Sequence, residues 1–412
     1  MLSTASAESI LMELFFSPQA HQNPYPFYAQ LQLISPVYKS PLGPVLVSDY
    51  TNCAKVFRDP NLGKQKGSYG PSKGSGGNSE KWTKALGLSV KSMLFADGKD
   101  HLRLRKPVMD NFSFAKVESL RSMIEKTVDN ILIDIEGQHQ VDVMEKLAFA
   151  VPIFVIGELL GIPVSDRQWL KPLVADATFA LEPSSFDEDL KKAEQSQLEM
   201  ELYFRQLAKS KSNSFADDIF SFLLKNNPIS SDTAELDFEE VIATMLLLIG
   251  TGFETTSNLI GNMLLALVTN PDQLSKLRQN PSLVKSTIDE VLRWDPPVQL
   301  NSRVALSTTK IGELTIDPGD VVVTFLAAAN RDPQKFIEPT KFDISRQNSP
   351  IISFGGGPHH CLGSFLAKLE AEIVLSKIIE RFSNFYLTSQ DLNWRRGRTL
   401  RGLVNLPMAF DK

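Results

Sequence analysis

The residues best suited to chemistry surround one cysteine, in the segment Phe354-Gly-Gly-Gly-Pro-His-His-Cys361-Leu-Gly363. Three consecutive glycines followed by proline exclude a helix and predict a shaped loop whose backbone approaches another group closely. An apolar helical stripe follows, formed by Leu362, Phe365, Leu366, Leu369 and Ile373. We therefore expect Cys361 at a helix N-terminus, where free N–H groups and the helix dipole favour a thiolate. A thiolate is a nucleophile or a metal ligand.

Two alternatives for this cysteine remain from the residues alone. A free cysteine is usually a small buried apolar residue, and we predict that role for the other cysteine, Cys53. Zinc binding by His359, His360 and Cys361 has weaker support, because no second Cys or His pair stands at ligand spacing. Two cysteines are too few for a disulfide framework, which suits a reducing compartment.

The loop resembles the haem-binding signature of the cytochromes P-450, Phe-Gly-x-Gly-x-His-x-Cys-x-Gly. Every fixed position of that signature is matched, by Phe354, Gly355, Gly357, His359, Cys361 and Gly363. The resemblance implies a haem b cofactor with Cys361 as the axial ligand of the iron. It also implies that Phe354 packs near the sulfur and that backbone after Cys361 hydrogen-bonds to it. An axial thiolate pushes electron density toward bound oxygen and favours O–O cleavage.

Haem brings two propionates, and buried carboxylates require hydrogen-bonding or cationic partners. His101 and Arg105 stand four residues apart, which places them on one face of a helix. The resemblance implies that both bind propionate, as in the soluble bacterial members of the family. Arg303 and His359 match the other propionate-binding positions of the family. Taken singly, each of these residues would more often be a surface charge.

The longest helical pattern begins at Asp237, with Glu240 three residues later in a capping-box arrangement, and runs to Asn270-Pro271. A helix of roughly thirty residues crossing the whole molecule is predicted. It contains Gly250-Thr-Gly-Phe-Glu-Thr-Thr256. Interior glycines cost about 1 kcal/mol each relative to alanine, and a threonine hydroxyl can bond back to the preceding turn. A helix weakened here is expected where another group must fit against it.

This glycine–threonine segment resembles the oxygen-binding motif of the family, Ala-Gly-x-(Asp/Glu)-Thr. The resemblance implies that Glu254 and Thr255 are the acid–alcohol pair that delivers protons. Thr251 stands where alanine is usual and Phe253 where histidine is common, which implies a distal pocket of different polarity. A purely structural helix defect is the alternative interpretation.

A second family motif, Glu-x-x-Arg, is matched by Glu290 and Arg293. Periodicity alone places this pair on the solvated side of its helix, opposite Ile288, Val291 and Leu292. The resemblance implies instead a buried structural pair, joined through Arg346 to the loop before the cysteine. Family resemblance also implies that the substrate pocket is lined by residues that include Thr251, Val298, Leu300 and Leu400.

The resemblance implies a monooxygenase that hydroxylates or epoxidises a small apolar molecule, with a polyketide, peptide or terpene intermediate favoured by analogy alone. Because no flavin or iron–sulfur segment is fused to the chain, electrons from NAD(P)H would arrive through a reductase and a ferredoxin or flavodoxin. Arg103 and Lys106 are available to such a partner. The alternatives are a peroxide-driven fatty-acid peroxygenase, which would not need Glu254 and Thr255, and a non-catalytic haem-binding protein.

These sites must be positioned by mainly α structure with a small β part, an α+β class that the resemblance narrows to the cytochrome P-450 fold, with the long central helix over the haem. We expect one domain over residues 1–412. Helical patterns fill about 98–295 and 361–382, and β patterns fill about 30–50, 303–326 and 384–410. Residues 67–79 carry five glycines and predict a mobile loop.

Composition bounds the partners and the location. Hydrophobic residues make up 42% and charged residues 22%, which is ordinary for a globular protein. The net charge of −5 argues against nucleic acid or an anionic membrane as the main partner. The N-terminus lacks a signal-peptide pattern, and no apolar run reaches the ~20 residues that span a bilayer. We expect a cytoplasmic, soluble monomer.

Overall fold

The structure is a computed structural model that describes residues 4–41, 43–64, 79–211, 215–228, 235–347 and 350–412. Residues 67–78 of the predicted glycine-rich loop lie outside these ranges. The chain divides into two compact units. The first comprises Met1–Leu62, Arg121–Val151 and Thr255–Lys412, and the second comprises Gly63–Leu120 and Pro152–Glu254. The single domain expected over 1–412 stays a prediction.

Most of the described chain is helical. Before the central helix the α-helices are α1 (Thr4–Phe16), α2 (Pro18–Gln22), α3 (Tyr25–Ile34), α4 (Tyr50–Val56), α5 (Ser79–Leu86), α6 (Gly98–Met109), α7 (Phe114–Ser119), α8 (Arg121–Ile135), α9 (Ala150–Leu160), α10 (Val164–Ala177), α11 (Asp187–Lys211) and α12 (Ile219–Asn226). The central helix is α13 (Phe238–Thr269), and it is followed by α14 (Pro271–Gln279), α15 (Val284–Trp294), α16 (Leu326–Ala329) and α17 (Ser364–Arg381). Shorter 3₁₀ turns span Gly87–Lys91, Met93–Phe95, Asp110–Phe112, Thr178–Leu181, Pro281–Leu283 and Gly357–His359, and a π-helical turn spans Met144–Ala148.

The central helix α13 has the predicted length and the predicted cap. The Glu240 N–H donates to Asp237 Oδ1 at 2.7 Å, and the Asp237 N–H donates to Glu240 Oε2 at 3.1 Å, which is a reciprocal capping box. Asn270-Pro271 ends the helix as expected, because proline starts α14 at its first position. Val241, Ile242 and other apolar residues of α13 are fully buried, as a helix with more than one apolar face requires.

Strands form three small sheets. They are β1 (Val37–Lys39), β2 (Val45–Val47), β3 (Leu62–Gly63), β4 (Val141–Asp142), β5 (Leu300–Ala305), β6 (Thr309–Ile311), β7 (Leu314–Ile316), β8 (Val321–Phe325), β9 (Asn384–Leu387) and β10 (Pro407–Asp411). The largest sheet has the order β1-β2-β8-β5-β3, the second β4-β10-β9, and the third β6-β7. In the largest sheet β8 pairs in parallel with β2 and antiparallel with β5, where Arg303 stands opposite Val322.

The mainly α class with a small β part is confirmed. The β-rich stretch predicted over 30–50 begins too early, because residues 30–34 belong to helix α3, whose Tyr28 and Leu31 are buried at helical spacing. No single helix in the described ranges is long and apolar enough to span a bilayer, although the bent pair Met144–Leu160 and Val164–Leu181 together has that length and composition.

Candidate active site

Cys361 lies in an exposed loop that glycines shape. Gly355 and Gly357 have φ values of 69° and 64°, the left-handed region that glycine adopts without strain. The Gly355 N–H donates to the Ile352 carbonyl at 2.9 Å, and the Cys361 N–H donates to the Phe354 carbonyl at 3.0 Å. The loop therefore closes on itself and leaves the Cys361 thiol exposed and outside any disulfide.

The helix after this loop begins later than the sequence predicts. Helix α17 starts at Ser364 with Gly363 as its N-cap, so Cys361 precedes the cap by two residues and is not part of the helix N-terminus. The physical reason is the turn through Leu362 and Gly363, which the apolar stripe alone does not reveal. The N–H of Cys361 is used inside the loop, where it bonds the Phe354 carbonyl.

Phe57, just after helix α4, contacts both the cysteine loop and a predicted propionate-binding residue. A Cβ placed on Gly357 would lie 2.1 Å from the Phe57 carbonyl oxygen, and one on Gly356 would lie 3.2 Å from Phe57 Cβ. On the same residue, the Arg303 guanidinium lies 5.3 Å from the ring centroid. Arg303 is 3% exposed and donates to Asn301 Oδ1 at 2.5 Å. The first unit thus brings Arg303 and the cysteine loop together through Phe57, which sequence analysis missed because one phenylalanine carries no pattern.

The other loop residues take less specific positions. His359 is half-buried in the 3₁₀ turn Gly357–His359, and the rings of Phe354 and His360 are 6.4 Å apart.

Cys53 is fully buried and its thiol donates to the Val47 carbonyl at 3.2 Å. Burial raises the pKa of the Cys53 thiol well above its ordinary value, so Cys53 is an inert core residue.

Glu290, Arg293 and Arg346 form a buried hydrogen-bonded group. Arg293 is fully buried and donates from Nε and Nη2 to the two carboxylate oxygens of Glu290, each at 2.8 Å. Arg346 Nε lies 3.1 Å from Glu290 Oε2. Arg293 also donates to the carbonyls of Asn330 and Pro339. The resemblance therefore gave the correct burial for the pair, and the solvated face expected from periodicity is wrong.

A short chain of hydrogen bonds links this group to the cysteine loop. Asn330, whose carbonyl accepts from Arg293, donates through Nδ2 to Ser353 Oγ at 2.7 Å and accepts from the Ile352 N–H at 3.0 Å. The Ile352 carbonyl in turn accepts from Gly355, the second residue of the signature. Asn330 thus contributes to the link, next to the Arg346 contact that sequence analysis expected.

In the second unit, helix α6 carries the other two predicted propionate partners. His101 is 2% exposed and Arg105 is half-buried, one turn apart on the same helix face. Arg103, on another side of α6, donates from Nη1 and Nη2 to the two carboxylate oxygens of Glu240, both at 2.7 Å. Arg103 is thus held within the protein, whereas Lys106 is exposed as a partner-binding residue would be.

The glycine–threonine segment leaves helix α13 unbroken. The Thr251 hydroxyl bonds back to the Leu247 carbonyl at 2.7 Å, as threonines in helices do. A Cβ on Gly252 would lie 3.1 Å from Ile156 Cδ1, so that glycine permits close packing. Glu254 is fully buried, and the next residue, Thr255, is half-buried. A buried carboxyl group beside a hydroxyl group in a helix is suited to moving a proton.

The predicted substrate-lining residues differ in their local surroundings. Val298 and Leu400 face each other in an isolated antiparallel bridge of the first unit. Leu300 is 4% exposed and belongs to a core cluster with Tyr28 and Phe325. Thr251 is exposed on α13 in the second unit. Val298 and Leu400 are therefore the pair that the structure brings together.

The donors of the first unit suit a haem better than a bare metal ion. The described residues contain no group of three or more His, Cys, Asp or Glu side chains that could hold a metal, so the zinc alternative has no ligand set among them. A haem would need only one ligand from such a site, and a Cys thiolate is one of the side chains that hold haem iron in proteins. The exposed Cys361 thiol could hold the iron, and the buried Arg303 guanidinium could pair with a propionate.

Comparison with known proteins agrees with this chemistry. The family model for cytochrome P450 matches residues 163–407. A biotin biosynthesis cytochrome P450 from Bacillus subtilis (strain 168) is 33% identical over 415 residues, which cover 99% of each chain. The cytochrome P450 monooxygenase PikC from Streptomyces venezuelae is 33% identical over 398 residues, 94% of this chain and 91% of PikC. The solved structure of P450BioI in complex with hexadec-9Z-enoic acid ligated acyl carrier protein has a TM-score of 0.88 at 32% identity, covering 95% of this chain and 100% of that chain.

Fold and site together define a haem-binding oxidoreductase. The chain belongs to the cytochrome P450 family, and it is a cytochrome P450 monooxygenase. The predicted cytochrome P-450 fold is confirmed.

Proposed function

We propose that this protein binds haem b through the Cys361 thiolate and inserts one oxygen atom of O₂ into a small apolar molecule. The observation that carries the proposal is the loop around Cys361. Its left-handed glycines, its internal hydrogen bonds and its packing on Phe57 hold one exposed thiol in a fixed place. The other cysteine is buried with a raised pKa and is unsuited to ligation.

The propionates would be held by cationic and imidazole groups. Arg303, buried on β5 over the Phe57 ring, and His359, in the turn before the cysteine, would bind from the first unit. The resemblance to the family implies the same role for His101 and Arg105 on helix α6. A buried guanidinium is a strong partner for a carboxylate because it stays charged and donates two parallel hydrogen bonds.

When bound, the haem supplies the activation of O₂ and its thiolate ligand favours O–O cleavage. The protein must provide protons in an otherwise apolar stretch of α13. The Thr255 hydroxyl can donate to one group and accept from a water, and the Glu254 carboxyl can pass a proton to that water. A peroxide-driven peroxygenase would have no need for this pair.

Electrons would come from NAD(P)H through a reductase and a ferredoxin or flavodoxin. A surface cavity of about 460 Å³ in the first unit supports an acidic partner, because Lys55, Arg58 and Lys335 are among its lining residues. This cavity adjoins the cysteine loop, since Arg58 Cα lies 3.6 Å from a Cβ placed on Gly357. A cationic surface attracts acidic proteins and speeds their association.

The substrate would be an apolar natural-product intermediate of the polyketide, peptide or terpene kind. Support comes from the relatives, which include PikC and a P450 of the bacillaene polyketide synthase, and from P450BioI, whose structure holds an acyl carrier protein. As the family resemblance implies, Thr251, Val298 and Leu400 would contact the substrate. The bacterial relatives also favour a cytoplasmic location, which we propose together with a monomeric state.

The test is the spectrum of the reduced, CO-bound protein. An axial thiolate gives a strongly red-shifted Soret band, so wild type and Cys53→Ala should both show it. Cys361→His should bind haem without that band. If Cys361→His retains the band, the ligand is another residue and the proposal is wrong. Product formation with NADPH, ferredoxin and its reductase, compared with hydrogen peroxide alone, then separates monooxygenase from peroxygenase.

A further inference from the structure

The first turn of α13 contains two adjacent glutamates, and each forms an ion pair with an arginine of another helix in the second unit. Glu240 accepts two hydrogen bonds at 2.7 Å from Arg103 of α6. Glu239 accepts two at 2.7 Å from Arg205 of α11. In the Arg103 pair Nη1 and Nη2 each bond one carboxylate oxygen, and two such parallel bonds fix the orientation of both groups as well as their distance. In the Arg205 pair the single nitrogen Nη2 donates to both carboxylate oxygens, so the two pairs differ in geometry, and they join different helices to α13.

The Arg103 pair is tied into the helix cap. Glu240 Oε2 accepts from both Arg103 Nη1 and the Asp237 N–H, and Arg103 Nη1 also donates to the Glu235 carbonyl at 2.9 Å. The side chains of Arg103 and Glu240 are 34% and 14% exposed. Helix α6 is therefore anchored to the part of α13 whose backbone is already fixed by the capping box.

Arg103 stands between His101 and Arg105 in sequence but on a different face of α6. Two residues turn an α-helix by about 200°, so Arg103 points away from the face that His101 and Arg105 share. The anchor therefore acts on a different side of the helix from the face that His101 and Arg105 share. Rotation or sliding of α6 would move His101 and Arg105 together, and the Arg103–Glu240 bonds oppose both motions.

We propose that Arg103 is a positioning residue, which holds α6 on Glu240 so that His101 and Arg105 face the haem propionates. This inference rests on the proposed haem site. It assigns Arg103 to an ion pair between two helices and not to the electron-donor surface, which its position in sequence near Lys106 would otherwise suggest. Arg205 supplies the matched comparison, because α11 carries none of the proposed haem-binding residues.

The experiment measures the rate of haem transfer from the purified holoprotein to excess apomyoglobin. Arg103→Met should lose haem roughly three- to tenfold faster than wild type, whereas Arg205→Met should lose it at the wild-type rate. Glu240→Gln keeps the capping box, because glutamine can also make its hydrogen bond, but it removes the charge that attracts Arg103. The double variant Arg103→Met, Glu240→Gln should be no faster than Arg103→Met alone, because both changes remove one interaction. If Arg103→Met does not fold, Arg103→Lys keeps the charge without the two-pronged geometry and should show an intermediate rate.

Three outcomes would overturn the inference. Equal acceleration by Arg103→Met and Arg205→Met would indicate general loosening of the second unit. Wild-type haem loss in Arg103→Met, with a raised KM for ferredoxin, would make Arg103 a donor contact. In both cases fast haem loss in Arg105→Met would leave the proposed function standing. Normal haem retention in Arg105→Met would instead contradict the propionate assignment on which the inference rests.

Discussion

Removing the Arg293 side chain is the most demanding test of how the cysteine loop is supported. Arg293 has no exposed surface and donates five hydrogen bonds, two to Glu290 and one each to the carbonyls of Asn330, Pro339 and Lys341. Arg293→Met keeps a similar apolar volume and deletes all five donors. The Glu290 carboxylate, with a 1% exposed side chain, would then stay buried.

The expected cost follows from what remains after the substitution. Breaking a buried ion pair by removing one partner costs about 3–5 kcal/mol. Arg346 still contacts Glu290 and compensates part of the loss, so we expect the lower end, about 3 kcal/mol. Three backbone carbonyls also lose a hydrogen-bond donor, which adds to the loss of stability. Arg293→Lys keeps the charge but not the planar fork, and should cost about half as much.

Equilibrium urea unfolding, followed by circular dichroism at equal haem loading, measures this cost. Equal loading matters because bound haem itself adds stability. Lys39→Met is the control, since it removes an ion pair to Asp320 whose lysine is 50% exposed and should change the free energy of unfolding by less than about 1 kcal/mol. If Arg293→Met falls within that same margin, the buried group does not support the fold as described.

Four further predictions concern residues of the helices and of the cysteine loop. Burial raises the pKa of Glu370 well above its ordinary value, and its Oε2 meets no hydrogen-bond partner among the described residues. Because the native state then holds a proton that the unfolded state releases near about pH 4.3, stability should fall as pH rises from there through the raised pKa. Glu370→Gln should remove that slope in urea unfolding, and an unchanged slope would contradict the assignment. Gly357→Ala would place an alanine in the left-handed backbone region, which costs at least about 1–2 kcal/mol. Its Cβ would also clash with the Phe57 carbonyl oxygen, so the haem content of the purified protein should fall. Gly250→Ala meets no atom within 4 Å and should be neutral or stabilise by up to about 1 kcal/mol. Thr255→Ala should lower product formed per NADPH consumed while Glu254→Gln mainly slows turnover, and the acid–alcohol assignment is wrong if neither change occurs.

The sequence predicts those parts of the fold that local chemistry decides. The capping box of Asp237 and Glu240 and the proline after Asn270 set both ends of α13 within a residue. The glycines before Cys361 predict a tight loop, and the structure shows the left-handed backbone that requires them. Each of these signals lies within a few residues along the chain, so its physical cause is readable without the fold.

Other features depend on partners far away along the chain. Periodicity predicts that Glu290 and Arg293 face solvent. In the structure they are buried, because Arg346 and the backbone carbonyls near residue 340 pack and hydrogen-bond against them. From its spacing in the sequence Arg103 is predicted to be a surface charge, whereas in the structure it forms an ion pair with Glu240. The role of Phe57 depends on its contacts with Gly356, Gly357 and Arg303, and no spacing in the sequence connects these residues. Family resemblance supplied the first of these facts and none of the others.

The parallel pairing of β2 with β8 has a consequence for synthesis in the cell. Val45 pairs with Val322, so the sheet closes a loop that includes most of the chain. Contacts between such distant segments form slowly, because the entropy of loop closure is lost before any bond is gained. Strand β5 with Arg303 is held by β8, and Cys361 leaves the ribosome later still. If Cys361 holds the haem, a nascent chain can bind it through this residue only after the chain has been made through both partner strands and the cysteine loop.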